Sequence, residues 1–94
     1  MIQLNFSKPV KIASLVIDSS SSKDQDKVGY QVLVSNDSFS WKEVFYEKIL
    51  PPNRENQVKI YLNPNEVQFL KLNQIGSHQY APWIINEIEV YEAD

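Results

Sequence analysis

The sequence predicts an all-β fold, an antiparallel sandwich or barrel of about seven short strands. Three observations carry that prediction. Apolar and polar residues alternate with a period of two in segment after segment, as they do in strands with one buried face. β-branched and aromatic residues fill those segments. The 3.6-residue spacing of an amphipathic helix sets in nowhere.

Taken in order, Ile2, Leu4 and Phe6 alternate with Gln3 and Asn5 in a first strand, which Lys8 and Pro9 interrupt. Residues 10–17 form a nearly continuous β-branched run ending at Asp18, the pattern of a strand that is central or buried on both faces. Residues 19–27, SSSSKDQDK, have nothing to bury and read as a surface loop. Asp24 and Asp26 within it have the chemistry of calcium ligands, since hard cations want clustered carboxylates, but a solvated loop is the simpler reading.

Tyr30, Val32 and Val34 alternate with Gln31, Leu33 and Ser35 in a third strand. Asn36, Asp37 and Ser38 supply turn chemistry, and Trp41, Val44 and Tyr46 mark the returning strand of a hairpin. Residues 47–56 contain Pro51, Pro52 and Asn53, which cannot sit in a central strand, and read as a surface connection. Val58, Ile60 and Leu62 alternate with Lys59 and Tyr61 in a fifth strand, closed by a turn at Asn63 and Pro64. Residues 67–75 and 83–91 complete the set. With no internal repeat and no linker composition, residues 1–94 are expected to form a single domain.

Composition narrows the function. A chain of 94 residues buries about two-thirds of its unfolded surface, so its stability is expected to be modest. The net charge of −3 and a single arginine, Arg54, argue against nucleic acid and against a membrane surface, because neutralising phosphates takes clustered Lys and Arg. Without cysteine there is no disulfide, no thiolate nucleophile and no cysteine-type zinc site, and the compartment is left open. No run approaches the roughly 20 apolar residues that span a bilayer.

Chemistry concentrates near the end of the chain. Ser77 and His78 suggest a nucleophile and its base, but neighbours on extended backbone point to opposite sides and no third orienting group is specified. Glu87 and Glu89 fall on one face of a strand, roughly 6.5 to 7 Å apart at the backbone. Glycosidase carboxylates face each other across a substrate, so a solvated face is the better reading, with Ile88 and Val90 turned to the core. His78, Tyr80 and Trp83 make a more credible binding set. An aromatic ring stacks on the C–H face of a sugar, and His and amide side chains meet hydroxyls without burying full charge. Asn73, Gln74 and Gln79 add amides nearby, although Trp83 also suits a core-capping role.

Several stretches resemble one family. YQVLVSNDSFSW at residues 30–41 is similar to the hairpin of discoidin domains (coagulation factor V/VIII C-type) and family 32 carbohydrate-binding modules, where an alternating strand leads through Ser and Asp to Trp. QFLKL at 68–72 resembles their next-to-last strand, and WIINEIEVY at 83–91 resembles their final one. Residues 2–17 fit the strand pair before the hairpin. The resemblance implies a galactose-binding-domain-like β-sandwich, or jelly roll, a fold that hosts sugar binding, lipid-surface binding and protein contacts alike.

Family members usually run to about one and a half times this length. The part with no counterpart here is the front, a strand and loops with an Asp-Gly turn and a Thr that help hold a structural calcium ion. Glu87 matches the carboxylate that the final strand gives to that ion. With the other ligands missing, the calcium site is expected to be incomplete and no cofactor is expected. The same loops supply part of the family's sugar pocket, so a sugar site here would rest on residues 76–82 and the 19–27 tract.

The expectation is therefore a non-catalytic carbohydrate-binding module that uses the loop before the last strand, through His78, Gln79, Tyr80, Asn73 and Trp83. The alternative is a protein–protein interaction or assembly module, including a homo-oligomer paired through an exposed sheet edge.

Overall fold

The computed structural model describes residues 2–19, 29–48, 50, 57–75 and 85–93. Among them five strands form: β1 (Ile2–Ser19), β2 (Gly29–Ser35), β3 (Lys42–Glu47), β4 (Gln57–Ile75) and β5 (Ile85–Glu92). Every pairing is antiparallel, and the order across the sheet is β3-β2-β4-β1-β5.

The segments expected from alternation are extended, but two pairs of them are continuous. β1 runs through Lys8 and Pro9, and β4 runs through Asn63 and Pro64, where an interruption and a turn are expected from the sequence. The register explains why. Between β1 and β4 it slips from Asn5↔Phe69 to Val10↔Val67, and again from Ile12↔Asn65 to Ser14↔Tyr61. Pro9 and Pro64 lie inside the slipped stretches, where no ladder hydrogen bond has to be donated. Proline here bends a strand without ending it.

The bends divide the sheet into two halves. The first contains β3, β2, residues 67–75 of β4 and residues 2–5 of β1; the second contains residues 57–61 of β4, 14–19 of β1, and β5. Val32, Val34, Leu70 and Leu72 on the first half and Leu15, Ile17, Val58 and Ile60 on the second belong to one contiguous buried cluster. The fold is thus an antiparallel β-sandwich made by curling one sheet onto itself. Each of these side chains contributes roughly 1.5–3 kcal/mol by leaving water.

β1 behaves as its sequence predicts. Between β4 and β5 its residues Leu15, Val16 and Ile17 are 0%, 8% and 0% exposed, so both faces are covered. On β5, Ile88 and Val90 pack against the core while Glu87 and Glu89 turn outward. At the start of β2, a Cβ on Gly29 would lie 1.7 Å from the Glu47 carbonyl oxygen, so only glycine lets the end of β3 close there.

The hairpin turn is locked by its own side chains. The buried Ser35 hydroxyl donates to Asp37 Oδ1 at 3.0 Å and accepts from the backbone N–H of Asp37 and Ser38. Asp37 Oδ1 also accepts from the N–H groups of Phe39 and Ser40, each at 2.8 Å. These donors, led by the Ser40 and Phe39 amides, hold the Asp37 carboxyl below its usual value. Asn36 Nδ2 ties the turn to the Glu66 carbonyl at 3.2 Å. The Asn-Asp-Ser turn read from the sequence is present, with Ser38 in the left-handed region at φ 67°.

Candidate functional site

The strand register sets the anchor points of three connections side by side. Ser19, where β1 ends, pairs with Ile85, where β5 begins; Gly29, where β2 begins, pairs with Ile75, where β4 ends. The connections 20–28 and 76–84 therefore both bridge the two halves between neighbouring anchor points. The connection from β3 to β4 does the same, because Glu47 pairs with Tyr30 and Gln57 pairs with Asp18. Alternation alone says nothing of this placement, since it depends on pairing between distant segments.

His78, Gln79, Tyr80 and Trp83 fall in the 76–84 connection and lie outside the described residues. So do Ser77, Asp24, Asp26, residues 51–56 and all of the 19–27 tract except Ser19, which ends β1. Asn73 is on the outward face of β4, two residues from the strand's end, and its Nδ2 donates to Gln31 Oε1 at 3.0 Å. Its amide is already engaged by a neighbouring strand.

Glu87 is exposed on β5 and pairs across to Asp18. Two facing carboxylates fall well short of the six to eight oxygens that calcium takes. Among the described residues no group of three acidic or histidine side chains is placed to hold a metal, so these residues do not by themselves make the calcium site that Glu87 implies. None of the described helices or strands is a long apolar helix able to cross a membrane.

The outer faces of the two halves differ. On the first half, Trp41 donates its indole N–H to the Ser38 carbonyl at 3.1 Å and meets the Phe69 ring edge-on, centroids 6.5 Å apart. Lys71 Nζ stands 3.9 Å over the same indole. The Trp41 indole is thus engaged by its own neighbours.

On the second half, β1 lies as a floor between β4 and β5. Ser14 pairs with both Tyr61 and Tyr91, Val16 with both Lys59 and Glu89, and Asp18 with both Gln57 and Glu87. Short residues on the central strand and long ones on its flanks leave a groove of about 320 Å³ lined by Ser14, Val16, Gln57, Lys59, Tyr61, Glu89 and Tyr91. The Tyr91 hydroxyl donates to Glu89 Oε2, and that bond, with the Glu89 charge behind it, pushes the phenol above its ordinary value. Sequence reasoning placed Tyr61 and Glu89 on outward faces without bringing them together; the available signal was outward tyrosines on two strands and a serine on a strand otherwise buried.

With this geometry in view, comparison with known proteins assigns the family. The family model of the F5/8 type C domain matches residues 1–88. The chain belongs to that family. The resemblance read from its hairpin and closing strands is borne out, and so is the sandwich it implies.

Solved structures similar to this F5/8 type C chain include CpGH89CBM32-6 from Clostridium perfringens, at 21% identity and a TM-score of 0.75, covering 97% of this chain and 67% of that one. A pectin-binding carbohydrate-binding module matches at 23% identity and a TM-score of 0.74, covering 98% and 66%. CpGH89CBM32-5 from Clostridium perfringens, solved with GalNAc-β-1,3-galactose, matches at 14% and 0.74, covering 95% and 63%. The chain spans about two-thirds of the length of these structures. A search of curated proteins returns no match.

Proposed function

We propose that this F5/8 type C chain is a non-catalytic carbohydrate-binding module whose primary site is the loop end, with the connection before β5 as its main element. The supporting observation is that the strand ends anchoring residues 20–28, 48–56 and 76–84 are paired neighbours in each half of a sandwich whose structural neighbours are carbohydrate-binding modules. Tyr80 supplies the stacking ring, His78 and Gln79 supply hydroxyl partners, and Trp83 supports the loop where it enters β5. Asn73, already bonded to Gln31, steadies the β4 side of the site.

A glycan array tests this directly. Wild-type protein should retain a defined set of short glycans, and Tyr80→Ala should abolish retention of that set while the protein stays folded. Retention of no glycan by the wild type would sink the proposal.

A second reading has one specific observation behind it. Among the described residues β3 and β5 are the edges of the sheet, each paired on one side, so each offers a row of backbone groups to another strand. Light scattering over a concentration series checks this assembly reading. A mass that rises with concentration, reversed by proline on β5, is the expected result, and a constant monomer mass contradicts it.

A further inference from the structure

We infer that the outer face of the second half carries a separate binding groove for a neutral, linear oligosaccharide, formed by Tyr61 and Tyr91 as facing walls and Ser14 as the floor between them. The ligand class rests on the carbohydrate reading above, but the described residues that line the groove lie on β1, β4 and β5.

Dimensions come first. Tyr61 and Tyr91 flank Ser14 on adjacent strands, so their backbones stand about 9.5 Å apart, two inter-strand spacings. Side chains leave a sheet roughly perpendicular to it, and a sugar ring between two aromatic rings needs two van der Waals contacts of about 3.5–4 Å, together about 7–8 Å. The slot accepts one pyranose ring edge-down on the Ser14 hydroxyl. Tyrosine in place of serine on that floor would fill it.

Availability is the second argument. Tyr61 is 73% exposed and Tyr91 48% exposed, and Ser14 between them is half-buried. Both tyrosines keep much of their surface in solvent, so their rings are available to a ligand. Tyr91 is held in place by its hydroxyl bond to Glu89, so binding need not first order that ring.

Charge and direction decide the ligand. Lys59 and Glu89 stand opposite each other across Val16, so the middle of the groove is balanced and offers a donor on one wall and an acceptor on the other. At its far end are Asp18, Gln57 and Glu87, an end that repels acidic sugars. From Ser14 to Asp18 the floor is about 13 Å long, room for a short run of a linear chain and more than a single sugar needs. The groove volume of about 320 Å³ sits at the lower end of the roughly 300–1,000 Å³ typical of small-ligand sites.

The test is amide chemical-shift titration of the full chain with cellohexaose, laminarihexaose and chitohexaose, with hexagalacturonate as the acidic probe. At least one neutral hexasaccharide should shift Ser14, Val16, Lys59, Tyr61, Glu89 and Tyr91 saturably, and hexagalacturonate should not. Tyr61→Ala should weaken that binding at least tenfold, and Tyr61→Phe, which keeps the ring, should restore it. Shifts confined to residues 76–84 would overturn the groove and leave the loop site standing; shifts in the groove alone would support the groove. No shift with any probe overturns the groove, while the loop site stands or falls on the glycan array. A groove response to hexagalacturonate alone, or shifts that follow protein concentration without sugar, would replace the neutral glycan with an acidic one or with a second copy of the chain.

Discussion

The outer faces of the two halves carry the same kinds of residue and use them oppositely. On the first half, Phe69 meets Trp41 edge-on, Lys71 stands over the same indole and Asn73 bonds Gln31, so these aromatic and amide groups contribute to the fold. On the second, Tyr61 and Tyr91 are kept apart by the width of β1 and have solvent between them. What separates a structural aromatic from a binding aromatic here is what reaches its ring. Phe69 and Lys71 close on Trp41, whereas Tyr61 and Tyr91 have β1 between them.

The broadest way to break the comparison is to remove what both faces share. Gly29→Ala forces a methyl into the Glu47 carbonyl, and overpacking against backbone is expected to cost about 3 kcal/mol or more, seen as a large drop in the urea midpoint. Both faces should be lost together. A midpoint unchanged from wild type would show that β3 does not close against β2 as described.

The next largest effect separates the faces. Trp41→Ala removes an aromatic edge contact and a cation–π contact, together worth about 1–2.5 kcal/mol. Tyr61→Ala on the open face should change stability by less than about 0.5 kcal/mol, as exposed substitutions do. Thermal melts of the two variants side by side check this, and equal losses would erase the distinction.

Proton linkage sharpens it further. Asp37 in the hairpin has a folded-state pKa below its unfolded one, so the stability it contributes is fully present above the unfolded value and is lost as pH falls through the folded value. Asp37→Ala should therefore flatten the acid limb of a melting-temperature profile. Tyr91 has the opposite sense: its raised phenol favours the neutral form in the fold, a contribution present below the unfolded pKa and lost as pH rises through the folded one. Ultraviolet titration of Glu89→Gln should show Tyr91 ionising at lower pH than in wild type. The smallest expected effect is none at all: a calcium chelator should leave the melting temperature unchanged, and a marked fall would mean that Glu87 completes a metal site after all.

Much of the fold was legible in the sequence because strand alternation is local. Ile88 and Val90 against Glu87 and Glu89, the fully covered Leu15 to Ile17 run, and the Ser35 to Ser38 turn chemistry all follow from residues read along the chain. The continuity of β1 and β4 was not legible, since Pro9 and Pro64 normally end a strand and escape doing so only because the register slips around them. The groove was hidden for the same reason. Tyr61, Ser14 and Tyr91 meet through pairings between distant segments, which periodicity cannot supply. Of the residues singled out for binding, His78, Gln79, Tyr80 and Trp83 rest on loop chemistry and family resemblance, while Asn73 proves to be held by Gln31.

The most direct measurement is one glycan array read with three proteins: wild type, Tyr80→Ala, and the Tyr61→Ala/Tyr91→Ala double variant. The account predicts retention of specific glycans by the wild type, loss with Tyr80→Ala of the glycans held at the loop end, and a selective weakening toward long linear chains with the double variant. An array on which the folded wild type retains nothing would contradict it.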